Sequence, residues 1–127
     1  MSGLSGGCLC GDVRVTVAGH PRRVGICHCM ECRKHHGAPF FAAAVFPAHA
    51  VTVTGHPSAY RGRYFCPTCG SSIFARSDDE IEVHLGAFDE PDRFVPTYEL
   101  WTCRREAWLP RFEGMVQFTQ DRPGPDA

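Results

Sequence analysis

Cys27-His28-Cys29-Met30-Glu31-Cys32-Arg33 is the stretch around which the chain is organised. Three thiols within six residues form a local claw that can seize a soft divalent metal from one side. On a tetrahedral ion, a three-ligand claw leaves one position undecided. Closed by a fourth protein group, that position makes a structural knuckle; open to water or substrate, it makes a reactive centre.

The other cysteines bear on that choice. Cys8-Leu9-Cys10-Gly11 is a first knuckle, whose glycine lets the backbone curl so that amides face a sulfur. Cys66-Pro67-Thr68-Cys69-Gly70 is a C-x-x-C-G turn of the kind found in zinc ribbons. Two tetrahedral zinc ions need eight ligands. If the two pairs combine into one structural site on Cys8, Cys10, Cys66 and Cys69, then Cys27, Cys29 and Cys32 hold a second ion with one position over. That position is either open to a thiolate, water or carbonyl oxygen, or filled by Cys103 or a nearby histidine. Metal is favoured over disulfides because residues 1–7 show no basic start and no apolar run of signal-peptide length. A reducing, cytoplasmic setting is therefore expected.

A chain of 127 residues has room for one domain. Eight cysteines, 13 glycines and 10 prolines point to many turns and few long helices. The longest apolar run, Phe40 to Phe46, is the length of a strand and too short for a membrane span. A net charge of −1 without a basic block gives no electrostatic footprint for nucleic acid. Neither a membrane nor a nucleic-acid partner is expected.

Strand patterns recur along the chain. Val13, Val15 and Val17 alternate with polar residues, as do Val51 to Thr54 and Ile81, Val83 and Leu85. Val24 to Ile26 leads into the claw, and Met30 to His36 fits one or two helical turns stopped by Gly37 and Pro39. Phe40 to Phe46 reads as a buried strand, Tyr60 to Phe65 and Ser71 to Ala75 as the arms of the third cysteine turn, and Thr97 to Thr102 as the last strand. Residues 1–118 form the expected zinc-binding domain, and 119–127 the expected disordered tail. The fold class is mainly β, with zinc-ribbon-like knuckles and at most short helices.

Several side chains need a bland reading beside the functional one. Cys103 reads first as a small buried hydrophobe. His28 reads as a support for the ligands or an exposed residue, His35 and His36 as a solvated turn, and Arg33 with Lys34 as a solvated face or a grip for an anionic substrate. Trp101 and Trp108 read as core anchors. Glu99 reads as an outward-facing strand residue, or as a general base if its strand turns it inward.

Taken together, Gly7 to Val13, Cys27 to Lys34, Phe65 to Ser71, Leu85-Gly86-Ala87-Phe88-Asp89 and Trp108 resemble the glutathione-dependent formaldehyde-activating enzyme and centromere protein V family. The resemblance extends from about Gly6 to about Phe112. Glu99 stands where that pattern suggests a histidine, and Cys103 where a serine is common. The resemblance implies an Mss4-like fold of several coiled antiparallel sheets. It also implies a structural zinc on Cys8, Cys10, Cys66 and Cys69, and a second zinc on Cys27, Cys29 and Cys32 that takes part in catalysis. The implied activity is carbon-sulfur lyase chemistry, the reversible addition of glutathione to formaldehyde. The alternative is a non-catalytic zinc module that binds glutathione or a protein partner through the same opening.

Overall fold

The structure, a computed structural model, describes residues 3–123. Its elements in chain order are β1 (Leu4–Gly7), β2 (Arg14–Val17), β3 (Arg23–Cys27), α1 (Met30–His36), β4 (Phe41–Pro47) and β5 (Val51–Thr54). There follow β6 (Ser58–Tyr60), β7 (Arg63–Phe65), β8 (Ser72–Ser77), β9 (Glu80–His84), β10 (Tyr98–Leu100) and β11 (Val116–Gln117). The architecture is mainly β, as the sequence leads one to expect. No helix among the described residues is long and apolar enough to cross a membrane.

Two sheets hold these strands. Strands β1, β2 and β5 make a small antiparallel sheet, and the other eight make a sheet in the order β11-β10-β3-β4-β9-β8-β7-β6. Within the large sheet β10 runs parallel to both β3 and β11, so its pairing is mixed at that end. The alternation read in β2 puts Val15 and Val17 into the core and leaves Thr16 outside. There they meet Val24, Phe46, Ile73, Ile81 and Val83. The apolar run of β4 is buried on both faces from Ala43 to Phe46, as suits a central strand with cover above and below.

Tyr60 to Phe65 is a hairpin rather than one arm. Positive φ at Arg61 and Gly62 gives the turn whose twist matches that of paired strands, and β6 and β7 flank it. Helix α1 begins where the Cys29 sulfur accepts from the Cys32 N–H, and ends at Gly37, whose left-handed backbone lets its N–H reach the Arg33 carbonyl.

The C-terminal region departs most from expectation. Trp108 is 67% exposed and anchors no core. Trp101 adopts the left-handed region, strained for a bulky residue, and is fastened by the segment that follows β11. Its backbone N–H donates to the Gln120 carbonyl at 3.1 Å and its indole N–H to Asp121 at 2.8 Å. Of the stretch 119–127 read as a tail, Gln120 and Asp121 thus line the end of the sheet, while residues 124–127 lie outside those described.

Candidate functional site

Seven cysteines gather into two groups, each with its sulfurs within 4.8 Å of one another, and each could hold a metal ion. The first comprises Cys8, Cys10, Cys66 and Cys69. Its N-terminal half is a knuckle after β1, closed by Cys8 N–H to the Val13 carbonyl at 3.0 Å and Val13 N–H to the Cys8 sulfur at 3.2 Å. The other half is the turn from Cys66 to Gly70, closed by Gly70 N–H to the Cys66 carbonyl at 2.8 Å. Ser71 ties the halves, accepting from the Leu9 N–H at 3.0 Å and lying 3.2 Å from the Cys69 sulfur. That hydroxyl, with the Ser71 backbone N–H, lowers the Cys69 thiol to about 5.

The spacing within this group bears on what it can hold. The Cys10 sulfur lies 3.6 Å from Cys8 and 3.7 Å from Cys66. Disulfide sulfurs would sit at about 2.05 Å. Four thiolates at about 2.3 Å from a tetrahedral ion would sit about 3.8 Å apart.

The second group comprises Cys27 at the end of β3, Cys29 at the cap of α1, and Cys32 inside its first turn. Backbone amides already face the sulfurs, Cys29 N–H to Cys27 at 3.5 Å and Cys32 N–H to Cys29 at 3.3 Å. Thiol donors from Cys27 and Cys32 hold Cys29 well below the usual thiol range. Cys27, which donates to both neighbours, is driven up.

These sulfurs form one end of a cavity of about 210 Å³. Gly25, Ala43 and Val45 line its floor, Glu82, Arg63 and Tyr98 one side, and Trp101 with the Asp121 carboxylate bound to its indole N–H the mouth near the claw. Burial pushes the Glu82 carboxyl above its ordinary value. Beyond Arg63 the surface continues into a groove lined by Lys34, His35, Tyr60 and Arg61.

His28 and Glu99 support the claw from behind, both fully buried. The His28 Nε2 lies 2.8 Å from Glu99 Oε1, and Gln117 Nε2 donates to Glu99 Oε2 at 2.7 Å. Burial raises the Glu99 carboxyl, but the bonds from Gln117 and His28 outweigh it and leave it below its usual range. The outward reading of Glu99 is therefore corrected. The central residue of β10 is buried because it shares a row with Ile26 of β3 and Gln117 of β11, and His28, Gln117 and Arg105 close over its carboxylate.

Other expectations are corrected too. Cys103 is exposed and belongs to neither sulfur group, because the chain turns away from the sheet after Trp101. His36 is no solvated turn residue: it stacks on Phe41 with ring centroids 4.8 Å apart and meets His84 at 4.4 Å. Arg33 pairs with Glu106 and donates to the Arg104 carbonyl at 2.9 Å, stapling α1 to the later chain. Arg63 and Glu82 were missed, since only strand register shows which face they share with the claw.

Fold and site thus define a mainly β protein with two cysteine groups able to hold metal, one of them opening on a cavity. The chain belongs to the glutathione-dependent formaldehyde-activating enzyme family, whose model matches residues 3–104. Relatives from Aspergillus flavus and Aspergillus oryzae, each named "Putative glutathione-dependent formaldehyde-activating enzyme", are 29% identical over 120 residues. The match covers 86% of this chain and 58% of each relative, so the chain spans little more than half their length. A crystal structure of a Rhodobacter sphaeroides protein shares the fold, with a TM-score of 0.55 and 21% identity over 91% of this chain and 100% of that one.

Proposed function

We propose that this chain is a zinc-dependent enzyme of the carbon-sulfur lyase type that joins a small aldehyde, such as formaldehyde, to a thiol such as glutathione. The observation that carries this reading is the placing of Cys27, Cys29 and Cys32 at the wall of a cavity whose other walls hold a cation and a carboxyl. Family membership supports the substrate class.

The residues fit zinc. Both donor sets are all sulfur, and the spacing in the four-cysteine group is close to that of a tetrahedral thiolate site. Cys8, Cys10, Cys66 and Cys69 would hold a structural ion that ties the N-terminal knuckle to the middle of the chain. Cys27, Cys29 and Cys32 would hold the second, which when bound lowers the pKa of a coordinated thiol or polarises a carbonyl oxygen. All eight cysteines are free, which suits a reducing compartment such as the cytoplasm.

The chain's own residues do the rest. Arg61 and Lys34 line the groove next to the cavity, beside the Arg63–Glu31 pair, and can pair with the carboxylates of a peptide thiol. The cavity, with Gly25 and Ala43 on its floor, has room for a small aldehyde beside the sulfurs. The buried His28–Glu99 pair fixes the loop that carries Cys27 and Cys29.

Exchange NMR on formaldehyde and glutathione tests the reading. Protein should speed the exchange, and Cys32→Ser should abolish that gain while the fold persists. An exchange rate unchanged by protein would refute it, and saturable glutathione binding without a rate effect would select the non-catalytic zinc module instead.

A further inference from the structure

The cavity holds a carboxyl that cysteine chemistry leaves unused. In the large sheet Glu82 of β9 stands opposite Val45 of β4 and Ala75 of β8, and Ala75 stands opposite Arg63 of β7. Two positions along, Tyr98, Gly25 and Ala43 form the next row of the same face. Two further on come Leu100, Cys27 and Phe41. Glu82, Arg63 and the claw therefore share one face, and the cavity lies between them, over Ala43 and Val45.

Glu82 is also free to act. The arginines nearest its own strand are committed to Glu80, which receives Arg23 at 2.7 Å and Arg22 at 2.9 Å. Arg63 pairs with the more exposed Glu31 at 3.2 Å. Among the described residues no hydrogen bond or ion pair engages the Glu82 carboxyl. The charged and titratable groups around it are Arg23 from β3, Tyr98 from β10, Arg63 from β7, Glu80 from its own strand, and Cys29 from the claw. A carboxyl held without a partner in a cavity that a substrate must enter is placed for proton transfer rather than for stability.

We propose that Glu82 is the proton-transfer residue of this cavity. This rests on the lyase reading and deepens it. As a thiolate sulfur attacks the aldehyde carbon, the carbon-sulfur bond forms with the sulfur's electron pair and the carbonyl π pair moves to oxygen. The Glu82 proton then goes to that oxygen, giving the hydroxyl of the adduct and leaving a carboxylate, which takes the proton of the next thiol. Thiol and aldehyde sum to the adduct, with nothing oxidised or reduced. In reverse, the Glu82 carboxylate removes the hydroxyl proton, the carbonyl reforms, and the carbon-sulfur pair returns to sulfur. Burial, which raises this carboxyl, keeps a proton available nearer neutral pH, where an acid–base group works best.

Glu82→Gln in the zinc-loaded protein is the test, with Glu82→Asp beside it. The exchange rate between formaldehyde and glutathione should fall about 100-fold in Glu82→Gln and recover in part in Glu82→Asp. The pH–rate limb belonging to the carboxyl should vanish, while zinc content and glutathione affinity by calorimetry stay at wild-type levels. Glu82→Gln at the wild-type rate, with wild-type protein active, would overturn this inference and leave the lyase reading standing. Wild-type protein without effect on exchange would overturn both. Should Glu82→Gln not fold, carbon-13 NMR of the Glu82 carboxyl in wild-type protein decides. Titration above the ordinary glutamate range that shifts with adduct supports the role, and ordinary titration indifferent to adduct refutes it.

Discussion

Removing the Glu99 carboxylate tests how the claw is held. Glu99 and His28 are both sealed from solvent, and Glu99 accepts at 2.8 Å from His28 and at 2.7 Å from Gln117. Hydrogen bonds to a charged acceptor are worth about 1.5–3 kcal/mol each, and breaking a buried pair by deleting one partner costs about 3–5 kcal/mol. In Glu99→Ala the ring of His28 loses its partner, and its Nδ1 already has none among the described residues. We expect a loss of about 3–5 kcal/mol in urea unfolding, which for a chain of this size lowers Tm by roughly 10–20 °C. Because His28 lies between Cys27 and Cys29, affinity for added zinc at that group should fall about 10–100-fold, while affinity at the four-cysteine group is unchanged. Chelator competition reads that order directly. Stability within about 1 kcal/mol of wild type, or metal lost first from the four-cysteine group, would show that the pair does not hold the claw.

Two further perturbations probe the cavity floor and the helix seat. A Cβ at Gly25 would collide with the Tyr98 ring, so Gly25→Ala should cost about 1–3 kcal/mol. Adding Tyr98→Ala should then cost less than the two single changes summed, and strict additivity in the denaturation cycle would contradict the contact. His84 is buried beside His36 and Phe41, and burial, aided by the charge of His36, lowers it to about 3. The unfolded chain takes up that proton near pH 6.5 and the folded chain does not, so the contribution is complete above about 6.5 and shrinks as pH falls toward 3. At pH 5.5 the loss from this group should be about 1.4 kcal/mol relative to pH 8, absent in His84→Asn. A folded-state His84 resonance that titrates near 6.5 would contradict it.

The two kinds of information in this chain were legible to different degrees, and for a physical reason. Thiols able to share one metal ion are spaced by local backbone geometry, so Cys8-x-Cys10, Cys27-x-Cys29-x-x-Cys32 and Cys66-x-x-Cys69 carry their meaning within a few residues, as do the valine alternation of β2 and the glycine stop of α1. What surrounds the claw is set by pairings between distant segments. Glu82 and His84 alternate with Ile81 and Val83, and the alternation alone does not show what covers their face. The same face of the sheet carries Cys27, and α1 leaves from its end to cover His84 with His36. The outward reading of Glu99 fails because its row holds Ile26 of β3 and Gln117 of β11, and His28 and Gln117 bond its carboxylate. Polar residues in a strand pattern therefore become candidates for chemistry once a cysteine turn is known to lie over their face. In this chain that criterion selects Glu82 over Glu99, because Glu99 is saturated by His28 and Gln117 while Glu82 is left to the cavity.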